Sequence, residues 1–247
     1  MGEWNLMGFR SVRHPSNTIF KQQVASIRYH DFFSFPETHC LCNETVNFDD
    51  YTIFLNNRIP NNNNNVKKGS GGIAIAIHKS VLCCHTILSV IKGIDGQIAI
   101  KLQSKITDMT VGILGLYLSP DSYRYGQEAE NFFDEAGVIW QDLSDCHLIV
   151  GGGDVNARTR ELPDFIPEID GKLIPVRSNP DKVKNAHAES FLTFLKDNRA
   201  IILNGRVTPE LNNYTFVCNR GCSVPDYIFC SADNLLNCPL SKTTLML

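Results

Sequence analysis

The feature of this sequence that most constrains its fold is a series of short apolar segments separated by residues that break regular structure. The segments are rich in Ile, Val, Phe and Tyr, and Gly, Pro, Asn or Asp bounds each of them. Segments of this length and composition are typical of β-strands. The predicted strands cover residues 30–35, 51–55, 73–77, 97–102, 110–117, 147–150, 200–203, 213–217 and 227–229.

Three further segments are predicted to be helices, over residues 19–28, 127–142 and 185–197. The last of these has apolar side chains at the i, i+3, i+4, i+7 spacing of one helical face. Many strands with few helices predict an α/β chain, in which two sheets pack as a β-sandwich flanked by helices. The apolar stripe predicted for the helix over 127–142 consists of Ala129, Phe132, Phe133, Ala136, Val138, Ile139 and Trp140.

A run of asparagines at 61–65 is followed by a Lys- and Gly-rich stretch. This composition does not pack a core, so a mobile loop is predicted at about residues 60–70. No internal repeat or linker divides the chain. The sequence therefore predicts a single domain over residues 1–247, acting as a monomer.

Composition places the chain among ordinary globular proteins, with 43% hydrophobic residues and a formal net charge of −3. No apolar run approaches the roughly 18 residues that span a bilayer, and the N-terminus lacks a signal-peptide pattern. An intracellular protein is predicted, nuclear or cytoplasmic, that is not secreted and has no membrane partner. The nine cysteines form no Cys-x-x-Cys pair. We therefore expect the cysteines to be reduced thiols and expect no zinc site. A zinc or disulfide scaffold is the alternative.

Positive charge is concentrated in one part of the chain. Residues 58–105 contain seven Lys or Arg side chains and a single acidic residue, Asp95. Such a local excess is compatible with a face that binds a phosphate backbone. It is equally compatible with a solvated surface, so charge alone does not identify a partner.

The segment whose residues are best suited to catalysis follows the strand predicted at 147–150. It reads Gly151-Gly152-Gly153-Asp154-Val155-Asn156. In an extended chain Asp154 and Asn156 point the same way, and the glycines allow a ligand to approach the backbone closely. A carboxylate beside an amide is suited to deprotonating a water and holding a phosphoryl oxygen. A simple Asp/Asn turn after a strand explains the pattern equally well.

This Gly-Asp-x-Asn segment resembles the endonuclease/exonuclease/phosphatase superfamily, which includes deoxyribonuclease and the apurinic/apyrimidinic endonucleases. Similar segments occur in the family's order over about residues 4–230. The residues in these segments are most similar to those of the endonuclease domains of non-LTR retrotransposons. The matching segments are Trp4-Asn5-Leu6-Met7-Gly8-Phe9, Asp31-Phe32-Phe33-Ser34-Phe35-Pro36-Glu37-Thr38-His39, Gly71-Gly72-Ile73-Ala74-Ile75, Leu116-Tyr117-Leu118-Ser119-Pro120, Ile202-Leu203-Asn204-Gly205-Arg206, Tyr214-Thr215-Phe216 and Ser223-Val224-Pro225-Asp226-Tyr227-Ile228.

The resemblance implies a deoxyribonuclease-like four-layer fold and a hydrolase that nicks DNA through contacts to its phosphate backbone. It implies Mg²⁺ as the cofactor, with Mn²⁺ as a substitute, bound by Glu37 with Asn5 close by; Glu44 is a rival for the metal. The implied catalytic residues are Asp154, Asn156, Tyr117 and Asp226. The implied substrate-binding residues are Thr215, Ser223 and Arg158.

The sequence departs from the family pattern at its C-terminal end. The family closes with a strand carrying Ser-Asp-His, whereas this chain has no histidine after His187. The fold is therefore expected to be incomplete at its C-terminus. Two alternatives to a DNA-nicking phosphodiesterase stay open: an inactive, truncated remnant that at most binds nucleic acid, and a phosphoester phosphatase on the same fold.

Overall fold

The computed structural model describes residues 2–3, 31–41, 44–46, 50–58, 70–120, 128–167, 174–206 and 214–237. The predicted helix over 19–28, the loop predicted at 60–70 except residue 70, and the end of the chain from residue 238 lie outside these residues. So does Asn5.

The smaller of the two main sheets has four strands in the order β1-β2-β4-β3. β1 pairs with β2 in parallel, and the other pairs are antiparallel. The strands are β1 Gly2–Glu3, β2 Phe32–Pro36, β3 Tyr51–Asn56 and β4 Ile73–His78.

The larger sheet has six strands in the order β5-β6-β7-β8-β12-β9. β7 and β8 run parallel, and the remaining neighbours are antiparallel. A separate two-stranded hairpin is formed by β10 Phe216–Cys218 and β11 Gly221–Ser223. The strands of the larger sheet are β5 His85–Lys92, β6 Gln97–Ser104, β7 Thr110–Tyr117, β8 Leu148–Asp154, β9 Ala200–Ile202 and β12 Asp226–Ser231.

The two sheets pack face to face through a layer of aliphatic side chains. On β4, isoleucine and alanine alternate, so that Ile73, Ile75 and Ile77 all join the core between the sheets. Ala74 and Ala76 belong to the cluster on the other face of β4. Because side chains alternate between faces along a strand, this pattern fixes which face of β4 is the sandwich interior.

Helices cover the opposite face of the six-stranded sheet. The helices Ala129–Asp142 (α2) and His187–Asp197 (α3) bury Phe132, Phe133, Trp140, Phe191 and Phe194 in one cluster with side chains of the sheet. The predicted two-sheet sandwich with helices outside is therefore confirmed. The described helices are α1 Lys79–Cys84, α2 Ala129–Asp142, α3 His187–Asp197 and α4 Ala232–Asn237.

Several predicted boundaries were wrong for identifiable reasons. Val138 is 60% exposed and does not belong to the buried stripe of α2. The edge strand β5 was not predicted, because its apolar residues do not follow a simple alternation: Leu88 and Val90 are exposed and the register shifts between Ile87 and Ser89. β8 does not end at Val150 but continues through three glycines to Asp154.

Among the described residues, no helix is long and apolar enough to cross a membrane.

Candidate active site

Three polar side chains lie next to one another at one edge of the six-stranded sheet. Tyr117 ends β7, Asp154 ends β8, and Asp226 begins β12. The strand register aligns Asp154 with Tyr117 on one side and with Asp226 on the other. Residues aligned on neighbouring strands point to the same face of a sheet. Tyr117 belongs to the sandwich core, so this face is the one turned toward the smaller sheet.

Glu37 reaches the same place from the smaller sheet. It follows directly after β2 in a left-handed conformation, with φ of 54°. The Tyr117 hydroxyl donates a hydrogen bond of 2.7 Å to Glu37 Oε1. This hydrogen bond between side chains joins the two sheets at the edge where Asp154 and Asp226 also lie.

The environment of Tyr117 keeps its hydroxyl protonated. Burial raises the pKa of Tyr117 strongly, and the hydrogen bond to Glu37 with the negative charges of Glu37 and Asp154 raises it further. Ionisation would place a third negative charge beside two carboxylates in a poorly solvated position. Tyr117 is thus a hydrogen-bond donor at neutral pH, whether its acceptor is a carboxylate or a phosphate oxygen.

Asn156 does not continue the extended chain of β8. Val155 is fully buried in the helix-side cluster. Asn156 instead has φ of 48°, so the expected extended geometry was wrong at this residue. Its backbone N–H donates to Asp154 Oδ1 at 3.2 Å, and its Nδ2 donates to the Leu118 carbonyl at 2.9 Å. The backbone N–H of Asn156 therefore contacts the Asp154 carboxylate, while its side-chain amide is directed to Leu118.

The glycines before Asp154 serve the packing of the sheet. A Cβ on Gly153 would lie 1.7 Å from the Leu116 carbonyl oxygen, and one on Gly151 would lie 2.3 Å from the Phe229 ring. No side chain fits at such distances without displacing the neighbouring strand or ring. The packing of the sheet therefore requires glycine at both positions, and close approach of a ligand to this backbone stays a prediction.

Thr215 and Ser223 lie at the base of the β10–β11 hairpin, beside Asp226. The Asp226 N–H donates to Thr215 Oγ1 at 3.3 Å, and the Thr215 N–H donates to the Ser223 carbonyl at 3.1 Å. Beyond this base the hairpin exposes apolar surface, with Phe216 52% and Val217 68% exposed. The hairpin therefore connects an exposed apolar strand, β10, directly to a residue of the site.

Arg158 is held by Asp181, a residue that the sequence did not single out. The guanidinium makes two hydrogen bonds to the Asp181 carboxylate, of 2.8 and 2.7 Å. The same carboxylate accepts the N–H of Val224 at 3.1 Å and that of Val183 at 3.0 Å. Asp181 therefore ties the loop that follows Asn156 to the loop that precedes Asp226.

The ionisation of Asp181 is expected to contribute to stability in a pH-dependent way. Burial by itself raises the pKa of Asp181, but the hydrogen bonds from Arg158, Val183 and Val224 outweigh it and hold the pKa below the usual value. Since the pKa is lower in the folded state, the contribution is complete above the unfolded pKa of about 4 and is lost as the pH falls through the folded pKa.

We therefore expect Asp181→Asn to be less stable than the unchanged protein at neutral pH, with a difference that shrinks below a pH of about 4. Urea unfolding over a pH series measures this difference. The matched control is Asp233→Asn, since the Asp233 side chain is 67% exposed and 3.7 Å from Arg199. A difference for Asp181→Asn that stays constant down to a pH of about 3 would contradict the assignment.

The Asn204-Gly205-Arg206 segment stabilises the structure around β12. Asn204 donates from Nδ2 to the Asp226 carbonyl at 3.0 Å and accepts the Ile228 N–H on Oδ1 at 2.8 Å. Gly205 has φ of 71°, and a Cβ there would lie 1.8 Å from the Ser178 carbonyl oxygen. Arg206 forms a buried ion pair with Asp164. The segment thus holds the backbone of β12, which carries Asp226.

The structure separates the two glutamates considered for a metal. Glu44 Oε2 accepts the Leu41 N–H at 2.7 Å, which closes a local turn. Glu37 instead contacts Tyr117 at the edge where Asp154 and Asp226 lie. Within the described residues, no group of three His, Cys, Asp or Glu side chains is arranged to hold a metal ion. One carboxylate completed by water and substrate oxygens is a donor set that Mg²⁺ accepts, and Glu37 fits that role.

Fold and site together define a two-sheet sandwich with outer helices and a carboxylate-rich site at the edge of the sheets. No protein-family model matches the sequence, and no curated protein does. Solved structures do match. The AP endonuclease LMAP from Leishmania major has a TM-score of 0.67 at 13% identity, over 93% of this chain and 78% of that one.

Two further structures extend this comparison. The 3′-5′ exonuclease NExo from Neisseria meningitidis has a TM-score of 0.58 at 16% identity, over 94% of this chain and 86% of that one. The human Nocturnin catalytic domain has a TM-score of 0.56 at 12% identity, over 93% of this chain and 80% of that one. The chain therefore has the fold of these proteins, which confirms the predicted deoxyribonuclease-like fold.

Proposed function

We propose that this chain is a phosphodiesterase that nicks DNA with Mg²⁺, as the endonuclease domains of non-LTR retrotransposons do. The observation that carries the proposal is the Tyr117–Glu37 hydrogen bond across the two sheets, beside the aligned Asp154 and Asp226. The retrotransposon type is supported by the ordered segments of the sequence. The DNA substrate is supported by similarity in fold to AP endonucleases and to NExo, which has been described bound to a product DNA hairpin.

Each side chain of the site has a distinct task in this proposal. Asp154 takes the proton of the attacking water, because its carboxylate is held at a strand end by the Asn156 N–H. The side-chain amide of Asn156 has two hydrogens, of which one is used on the Leu118 carbonyl. The second donates to a phosphate oxygen and stabilises the charge that develops there. Asp226 keeps its place beside Asp154 through Asn204 and Thr215.

Glu37 is the residue that would hold the metal, with Asn5 as the second ligand. A Mg²⁺ ion bound there supplies Lewis-acid chemistry and neutralises charge on the phosphate. Tyr117 keeps the Glu37 carboxylate in a single orientation through its hydrogen bond to Oε1. The phosphate backbone of DNA is the partner, with Arg158, Thr215 and Ser223 as proposed contacts.

Replacing Tyr117 with phenylalanine tests the task of the hydroxyl. Tyr117→Phe removes the donor to Glu37 Oε1 and keeps the aromatic ring in the sandwich core. We expect the nicking rate to fall by about 10- to 100-fold, because a group that positions the reaction is lost. The Mg²⁺ concentration for half-maximal rate should rise as well. The matched control is Tyr214→Phe, whose hydroxyl bonds only weakly, at 3.3 Å, to the Pro180 carbonyl.

The direct test of the proposed function uses supercoiled plasmid. Conversion to the open circular form reports a single nick, so even slow turnover is detected. Nicking that requires Mg²⁺ and stops with EDTA supports the proposal. Salt-sensitive DNA binding without cleavage, from protein with a cooperative melting transition, identifies the inactive remnant instead.

A second candidate function is removal of a terminal phosphate, because the structurally similar NExo is also described as a 3′ phosphatase. The same donors serve a phosphate monoester as well as a diester. An oligonucleotide carrying a 3′-phosphate distinguishes the two. Release of inorganic phosphate with an intact plasmid would favour the phosphatase, and release from an inositol phosphate would exclude DNA as the required substrate.

A further inference from the structure

Asn185 pairs with the segment that follows Asp154. Its Nδ2 donates to the Asn156 carbonyl at 2.6 Å, and its Oδ1 accepts the Arg158 N–H at 2.9 Å. Its own backbone N–H donates to the Arg158 carbonyl at 3.3 Å. One asparagine thus satisfies a carbonyl and an amide on either side of Ala157. These contacts are made from the chain just before α3, a separate part of the molecule.

The surroundings hold Asn156 in its left-handed conformation. Asparagine enters this region more readily than most non-glycine residues, and such a conformation persists where the surroundings determine it. Asn156 has φ of 48°, and its own side chain is used partly on Leu118. Asn185 therefore restrains this turn through hydrogen bonds from a separate segment of the chain.

We propose that Asn185 is a positioning residue for the phosphodiesterase reaction, holding the left-handed turn at Asn156, whose backbone N–H contacts Asp154 and whose side-chain amide is the proposed phosphate donor. The inference rests on the proposed function for its catalytic consequence. Its structural part, the restraint on the backbone from Asn156 to Arg158, stands on the hydrogen bonds alone.

The sharpest variant is Asn185→Asp. It has the same shape and keeps an acceptor for the Arg158 N–H, but it loses the donor to the Asn156 carbonyl. We expect kcat for plasmid nicking to fall by about 10- to 100-fold, since misplacing a reacting group by about 1 Å costs on that order. KM for DNA should stay within about twofold, because the proposed contacts to the phosphate backbone of the DNA are intact.

The matched control is Asn198→Asp, at the other end of α3. Asn198 Nδ2 donates to the Phe194 carbonyl at 2.9 Å, so the same chemical change is made at a helix terminus that has no contact with the Asn156 turn. Its kcat should equal that of the unchanged protein. Equal losses of kcat in both variants would mean that Asn185 acts through general stability, and the inference would be overturned.

A double-mutant cycle separates positioning from an independent role. If Asn185 acts through Asn156, then Asn185→Asp should change kcat by less than about threefold once Asn156→Ala is present. The loss of thermal stability caused by Asn185→Asp should be the same in both backgrounds. Additive losses of kcat would show that Asn185 does not act through Asn156.

Amide hydrogen exchange tests the structural part without any enzyme activity. The Arg158 N–H should lose protection in Asn185→Ala, which has no acceptor, and retain it in Asn185→Asp. Unchanged protection in Asn185→Ala would overturn the inference. If the unchanged protein cleaves neither plasmid nor phosphate ester, the proposed function fails, while the exchange measurement still decides whether Asn185 restrains the turn.

Discussion

Asp154→Asn is expected to lower Mg²⁺-dependent plasmid nicking by about 10²- to 10⁴-fold, the usual cost of removing a general base. Asparagine has the shape of aspartate and keeps an oxygen for the Asn156 N–H, which donates to Asp154 Oδ1. It cannot take a proton from water. Because Asp154 is 7% exposed and ends a central strand, an isosteric change is preferable to alanine.

The comparison is made on initial rates at saturating DNA, with the melting temperature of each variant measured in parallel. Asp145→Asn is the matched control, since Asp145 is 69% exposed and pairs with Lys101 away from the strand ends. The control should cleave at the unchanged rate. Cleavage by Asp154→Asn within about threefold of that rate would remove Asp154 as the base.

The largest effect on stability is expected from Asp164→Ala. Asp164 and Arg206 are each 1% exposed, and the guanidinium makes bonds of 2.8 and 2.7 Å to the carboxylate. Removing the acid leaves a buried positive charge without its partner, which costs about 3–5 kcal/mol. At about 2–4 °C per kcal/mol for a chain of this size, the melting temperature should fall by roughly 6–20 °C.

Two further variants define what this loss means. Glu161→Ala removes an exposed partner of Lys182 and should leave the melting temperature unchanged, since both side chains are more than half exposed. Asp164→Leu combined with Arg206→Met removes both charges and should recover part of the stability, because no buried charge is left unpaired. A loss below about 1 kcal/mol for Asp164→Ala would contradict a buried, coupled pair.

The elements that were predicted well are those whose side chains alternate with a clear period. β4 reads Ile-Ala-Ile-Ala-Ile and lies within one residue of the predicted bounds. α3 has an apolar stripe that buries Phe191, Leu192 and Leu195. In both elements the buried residues follow the periodic spacing of apolar residues along the chain, so the sequence alone predicts which side chains are buried.

The sequence singled out residues that the structure brings together, but it did not predict their geometry. The resemblance singled out Glu37, Tyr117, Asp154 and Asp226, and the strand register brings the last three side by side. The left-handed turn at Asn156 was not predicted, because a φ of 48° depends on partners distant in sequence. The catalytic and binding roles of these residues stay predictions, as does the role of Asn5.

The residues that hold the site together were missed. Asp181, Asn185 and Asp164 carry no local pattern that separates them from ordinary loop residues. Their partners lie far along the chain: Asp181 bonds Arg158 and Val224. A buried polar residue is recognisable only when its partners are known, because burial without hydrogen bonds would be unfavourable.

The sequence by itself determined most of the described strands, the helices α2 and α3, the packing of the strands into sheets, and which side chains are candidates to carry chemistry. The tertiary structure alone decided that Tyr117 donates to Glu37 across two sheets and that Asn185 closes the turn after Asp154. The physical reason is the separation along the chain between the residues that interact. Hydrophobic periodicity is a property of neighbouring residues, whereas a hydrogen bond between side chains 80 residues apart depends on how complete sheets pack together.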